Sequence, residues 1–256
     1  MRYSLFACVP LAALAANLVP AAAPAPAGRV PVVVELFTSE GCSSCPAADE
    51  VLRELESTQP VPGVEVIALG QHVDYWNRLG WADPFSSPQF TSRQRWYATG
   101  FTESNYTPQA VIDGRYELVG SRRQQLIQTL AAAAHAPQAM VALVRPTANT
   151  LQVSVRNLPA GTSAATVQLA LAETGLSTQV GRGENAGHLL RHAAVVRSLL
   201  TLGPVGADGT FSATVPLNLA TGWQPNQLRA VVLVQEATSH HVVGVASVPL
   251  GTLVPD

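Results

Sequence analysis

Cys42 and Cys45, three positions apart in a chain of 256 residues, carry the most specific chemistry in this sequence. A Cys-x-x-Cys pair at the start of a helix performs thiol–disulfide exchange. The unpaired backbone N–H groups and the helix dipole there favour negative charge, and a thiolate is the reactive form. Thiols in such settings titrate at roughly 3.5 to 7.5 rather than about 8.5. Cys42 comes first, at the mouth of the turn, and is the expected attacking thiol. Cys45, inside the first helical turn and partly covered, is expected to resolve the mixed disulfide. Ser43 and Ser44 each offer a hydroxyl and an N–H to a thiolate, which favours the reduced pair and makes it more oxidising.

Other uses of the same spacing compete. A structural zinc site normally needs a second pair of ligands, and the only other cysteine is Cys8. Copper binding through Cys42, Cys45 and His72 is an alternative, because thiolates are soft ligands. A static disulfide stapling a turn is another, although so small a loop constrains the unfolded chain little.

The elements that must position the pair are legible around it. Val32, Val33 and Val34 read as a strand buried on both faces. Pro46 presets a first helical turn, and Val51, Leu52 and Leu55 keep one apolar face. Val64 to Trp76 supplies a second strand, so strand, helix and strand predict a right-handed parallel βαβ unit. Asp74 to Gly100 then holds three of the four tryptophans. Ser87 and Pro88 start a helix with Phe90, Arg93, Gln94 and Tyr97 along one face, and Trp96 and Tyr97 read as a helical lid packed on the sheet. Trp76 and Trp81 follow the second strand on the Cys42 side, where open α/β sheets bind ligands, and are expected to contact substrate.

His72 reads as a proton relay, a metal ligand or an ordinary hydrogen-bonded histidine. Glu35 interrupts the apolar strand. Buried, it would take the proton from Cys45; otherwise it faces solvent or pairs with an arginine. Glu40 is expected to be exposed. Val111 and Ile112, Asp113-Gly114, then Tyr116, Leu118 and Val119 form a hairpin. Thr107-Pro108 enters it with an expected cis bond, which would present the Thr107 backbone to a ligand. Ser121 to Ala136 reads as a capped helix ended by Pro137.

Beyond Gln138, short alternating or apolar runs separated by Pro, Gly and Asn argue for an antiparallel β-sandwich. Within them, Val180 to Leu202 crowds Arg182, Glu184, Asn185, His188, Arg191, His192 and Arg197 into a segment that either folds toward the redox turn or faces solvent. His240-His241 reads as a surface pair.

Residues 1–27 read as a secretory signal peptide with an Ala/Pro-rich lead-in: Arg2 is the charged start, Leu5 to Leu14 the apolar stretch, and small residues follow. The run is too short to span a membrane, which needs about 20 residues. Export would place the pair in a periplasm or outside the cell, where disulfides persist. The net charge of -2 and the lack of a basic run argue against nucleic acid. All fifteen basic residues are arginine, which excludes chemistry that needs a lysine.

The stretches ELFTSEGCSSCPAAD, HVDYWNRLGWADPFSSPQFTSRQRWYA and GRGENAGHLLRHAAVVRSL resemble the exported bacterial proteins of the domain-of-unknown-function family 1223 (DUF1223), and the element order resembles the thioredoxin superfamily. The resemblance implies an α/β thioredoxin-like domain at 29–137 followed by an antiparallel β-sandwich domain at 138–256. It implies Cys42 as nucleophile, Cys45 as resolving thiol and Pro108 as the cis-proline. The chain departs from thioredoxin in lacking a tryptophan before the first cysteine and in having Ser-Ser between the two. The expectation is an exported thiol–disulfide oxidoreductase acting on protein or peptide thiols with an unidentified redox partner and without an organic cofactor. A soft-metal delivery protein and a non-catalytic interaction protein with a structural disulfide are the alternatives.

Overall fold

A computed structural model describes residues 28–251, so the expected signal peptide, Cys8 included, lies outside the described residues. The valine run forms β1 (Val30–Thr38), buried from Val32 onward. Helix α1 (Cys45–Thr58) carries Pro46 in its first turn and buries Ala48, Leu52 and Leu55. Strand β2 (Val64–His72) runs parallel to β1, with Val34 beside Ala68 and Thr38 beside His72. Helix α2 (Pro88–Ala98) is capped by the Ser87 hydroxyl, which accepts from the Gln89 N–H. Strands β3 (Gln109–Ile112) and β4 (Tyr116–Val119) make the hairpin, turning through Asp113 and Gly114 at positive φ. Helix α3 (Arg123–Ala133) follows without the expected side-chain cap from Ser121, since Arg122 occupies the cap position.

Side chains alternate across a strand, so β1 serves two helices. Thr38 reaches Asp49 on α1, and Glu35 reaches Arg93 on α2. Apart from a short 3-10 turn at Pro225–Gln227, the regular elements of the rest of the described chain are strands: β5 (Met140–Thr147), β6 (Thr150–Arg156), β7 (Ala165–Glu173), β8 (Ser177–Gln179), β9 (Leu189–Arg191), β10 (Val195–Pro204), β11 (Phe211–Pro216), β12 (Leu228–Glu236) and β13 (Val242–Pro249).

Their pairing overturns the expectation of a thioredoxin-like α/β domain followed by an antiparallel β-sandwich. One mixed eight-stranded sheet runs in the order β13-β12-β7-β10-β2-β1-β3-β4, so strands from both sides of residue 137 share it. The junction is β2 with β10. The Gly70 N–H donates to the Ala194 carbonyl at 2.8 Å, and Val195 sits opposite Gly70. A Cβ at position 70 would lie 2.9 Å from the Ala193 carbonyl oxygen, so only glycine lets the second backbone approach this closely. Pairing there covers an edge that would otherwise expose a row of unpaired backbone groups. Strands β8 and β9 pair with each other, and strands β11, β6 and β5 form a three-stranded sheet. The three-stranded sheet packs on the β7–β12–β13 end through a core that includes Leu151, Val153, Val167, Leu169 and Val232.

Candidate functional site

Cys45 is the first residue of α1, Cys42 lies in the turn before it, and the two are joined in a disulfide with Cα atoms 5.4 Å apart. The Cys42 Sγ accepts from the Thr107 hydroxyl at 3.4 Å and lies 3.4 Å from the Ser44 hydroxyl. The Thr107-Pro108 bond is cis, as expected.

The expectation that Cys42 stands open at the mouth of the turn is corrected. Cys42 is 1 % exposed and Cys45 0 %. The loop between β8 and β9 contributes to the cover. Asn185 donates its side-chain amide to the carbonyls of Glu40 at 2.8 Å and Cys42 at 3.0 Å, and the Ser43 N–H donates to Glu184 at 3.0 Å. Hydrogen bonding from Ser43, by its hydroxyl first and its N–H second, holds the Glu184 carboxyl below its usual range. The polar segment after Val180 therefore folds toward the cysteine turn, while Ser43 and Ser44 remain exposed.

Both indoles expected to contact substrate are spent on bracing. The Trp76 N–H donates to the Thr107 hydroxyl at 2.9 Å, and the Trp81 N–H donates to Glu40 at 2.7 Å. Glu40 is buried rather than exposed. Glu35 faces α2, on the side of the sheet away from α1, where Arg93 donates to it at 2.5 and 2.9 Å. Of the two readings of Glu35, pairing with an arginine is the one the structure shows. His240 is buried beneath Trp96, with ring centroids 4.0 Å apart, instead of lying on the surface.

His72 is brought together with Asp49 and His192, not left beside the cysteines as a free ligand. All three are buried, and one ligand atom from each lies within 4.8 Å of the others. His72 Nδ1 bonds Asp83 at 2.7 Å, His192 Nε2 bonds Glu40 at 2.9 Å, and Asp49 accepts from the Thr38 hydroxyl at 2.8 Å. The opposite atoms, Asp49 Oδ1, His72 Nε2 and His192 Nδ1, have no partner among the described residues. Burial pushes the Asp49 carboxyl up, offset in part by the two imidazoles and Thr38. Burial would push His72 down, but the hydrogen bond and charge of Asp83, helped by Asp49 and Glu40, hold it above its ordinary value. Burial likewise opposes ionisation of Asp83, but the hydrogen bond and charge of His72 together with the Glu40 and Phe85 N–H groups outweigh it, leaving that carboxyl below its usual range.

The family model for a protein of unknown function, DUF1223, matches residues 33–235. The chain belongs to this family. No curated protein matches it. A protein from Agrobacterium tumefaciens solved by X-ray crystallography is similar, with 28 % identity and a TM-score of 0.71 over 91 % of this chain and all of that one. A domain of the outer membrane lipoprotein Omp28 from Porphyromonas gingivalis matches far more weakly, with 14 % identity and a TM-score of 0.25 over 44 % of this chain and 87 % of that one. Among the described residues, no helix is long and apolar enough to cross a membrane.

Two members of the buried cluster in this DUF1223 chain escaped the sequence reading. Asp49 looks like one more polar residue of an amphipathic helix, yet it sits between Ala48 and Leu52 on the buried side. His192 was visible only as part of a polar crowd. The signal that could have found it is the Ala193-Ala194-Val195-Val196 run directly after it, which marks a buried strand entrance.

Proposed function

We propose that this protein is an exported thiol–disulfide oxidoreductase acting on protein or peptide dithiols through Cys42 and Cys45. The observation that carries this reading is the disulfide at the start of α1, with the Thr107 and Ser44 hydroxyls on the Cys42 sulfur. A substrate thiolate attacks Cys42 Sγ and expels Cys45 as a thiolate, whose charge the helix N-terminus favours. A second substrate thiolate then attacks the substrate sulfur of the mixed disulfide and expels the Cys42 thiolate. The substrate dithiol becomes a disulfide, and the enzyme pair, now reduced, is reoxidised by a separate redox partner. Every step runs backward for a substrate that is reduced. The hydroxyls on Cys42 Sγ stabilise the Cys42 thiolate, which leaves when a substrate is oxidised and attacks when one is reduced. A persistent disulfide also supports an oxidising compartment, in keeping with the signal-like leader.

The burial of both sulfurs favours a second reading, a structural disulfide in a protein that acts through other surfaces. Redox titration of the purified protein in glutathione buffers, with thiol trapping, separates the two. Exchange at a potential of about -120 to -230 mV is the expected result. A pair that stays oxidised below about -300 mV leaves only the structural reading.

A further inference from the structure

We propose that Asp49, His72 and His192 form a binding site for one divalent transition-metal ion, with zinc the best match. Asp83 and Glu40 are carboxylates, so the nitrogens facing them, His72 Nδ1 and His192 Nε2, are the donors. In the neutral form that a metal requires, each ring turns a lone pair inward, at His72 Nε2 and His192 Nδ1, atoms that have no partner among the described residues. Thr38 donates to Asp49 Oδ2, which leaves Oδ1 facing the same space. With both rings neutral, three acceptors converge within 4.8 Å of one another, and a water molecule has only two protons to offer them. A cation satisfies all three at once.

Charge points the same way. Glu40, Asp49 and Asp83 are all buried, and their hydrogen bonds among the described residues run to imidazoles, an indole, a hydroxyl and backbone N–H groups, never to a guanidinium. Elsewhere in the molecule buried glutamates are matched by arginine, Glu35 by Arg93 and Glu173 by Arg197. Buried carboxylates faced only by imidazoles have a counter-charge only when those rings carry a second proton, and a dication supplies it with the rings neutral.

The surroundings have the form of a metal site's outer layer. A ligating histidine normally gives its second N–H to a carboxylate, which fixes the ring and raises its basicity. Both histidines do this here, and those carboxylates are themselves held, Asp83 by the Glu40 N–H at 2.8 Å and Glu40 by Trp81 at 2.7 Å. A cleft of about 240 Å³ between α1 and β9, lined by Pro46, Asp49, Glu50, Arg53, Leu190 and His192, gives an approach from solvent. Two imidazoles and one carboxylate form a borderline nitrogen–oxygen donor set, which suits zinc or ferrous iron and disfavours calcium and magnesium, whose ligands are oxygens. Three protein ligands leave a fourth position for water or a small ligand.

The test uses the full chain, purified without chelators for metal analysis, then stripped and titrated with Zn²⁺ by calorimetry and with Co²⁺ by visible absorption. One equivalent is expected to bind. Asp49→Asn, His72→Gln and His192→Gln should each weaken it by at least about 100-fold, and Asp83→Asn by about 10- to 100-fold. The double variant Cys42→Ser/Cys45→Ser should bind like the parent, so failure of the redox reading leaves this result untouched. The proposal is overturned if the folded, stripped protein takes up neither ion, if binding survives His192→Gln, or if the double cysteine variant loses it.

Discussion

The two faces of β1 hold buried polar clusters of opposite construction. Toward α2, Glu35 accepts from Arg93, from the Tyr97 hydroxyl and from Gln71, and Gln235 donates to the Tyr97 oxygen at 2.7 Å. One charge is matched by another, and the atoms left over are the neutral amide oxygens of Gln71 and Gln235. Toward α1, the atoms left over are a carboxylate oxygen and two imidazole nitrogens, all aimed at one space. A closed ion pair fixes a single packing of the chain and resists removal of either partner. An open set of acceptors costs stability until something positive completes it. The first cluster is scaffold and the second is a receptor.

The most damaging way to probe that contrast is Glu35→Ala. It leaves the Arg93 guanidinium buried without a counter-charge, and the expected loss is about 3–5 kcal/mol in urea unfolding. Asp49→Asn in stripped protein should cost far less, because it keeps an acceptor oxygen for Thr38 and removes a charge that burial disfavours. The redox potential of Cys42 and Cys45 should be indifferent to Glu35, which the sheet separates from α1. Equal losses from the two substitutions would erase the distinction between the faces.

Asp113 sharpens the comparison through pH. Its carboxyl accepts from the Val33 N–H at 2.9 Å, and burial, reinforced by the charge of Glu35, raises its pKa from 3.8 to about 7. A raised folded-state value means that the native protein binds the proton more tightly than the unfolded chain does. The associated stability is fully present below about pH 4 and is lost as pH rises through about 7, a decline of about 4 kcal/mol. Asp113→Asn keeps the acceptor oxygen and tolerates the φ of 46° at this turn, so it should flatten that decline and outlast the parent at pH 8. A variant whose denaturation midpoint still falls between pH 5 and pH 8 would assign the slope to another group.

What could be read from the sequence was what neighbours in the chain decide. The valine run, Pro46, Ser87 before Pro88 and the Asp113-Gly114 turn each act over a few residues, and the elements they specify are present. The sharing of one sheet depends on Gly70 meeting Ala194 across more than a hundred residues, and a lone glycine in an apolar strand announces no particular partner. Runs such as those of β7 and β12 fit an extension of the first sheet as well as a separate sandwich, because periodicity states burial and not the identity of the neighbour. The site inherits the same limit. The pairing that places Ala194 on Gly70 also brings His192 beside His72, with ring centroids 4.9 Å apart. Cys42 and Cys45 were legible because both lie in one turn; the buried triad was not, because it is made by a junction.

That junction reaches the disulfide as well, through a smaller effect. The β8–β9 loop that precedes His192 lays Asn185 over the cysteine turn, and its amide holds two backbone carbonyls, those of Glu40 and Cys42. Each such hydrogen bond contributes about 1 kcal/mol net, so Asn185→Ala should lower the free energy of opening by roughly 1–2 kcal/mol. If reduction of the disulfide waits on that opening, its rate with dithiothreitol rises about 10-fold while global stability changes little. Glu184→Ala removes only an exposed bond to Ser43 and should act in the same direction more weakly. An unchanged rate in Asn185→Ala would mean that the loop does not gate the sulfurs. Their burial would then have to be relieved from the Trp76 and Thr107 side, where the indole N–H ties down the hydroxyl that rests on Cys42.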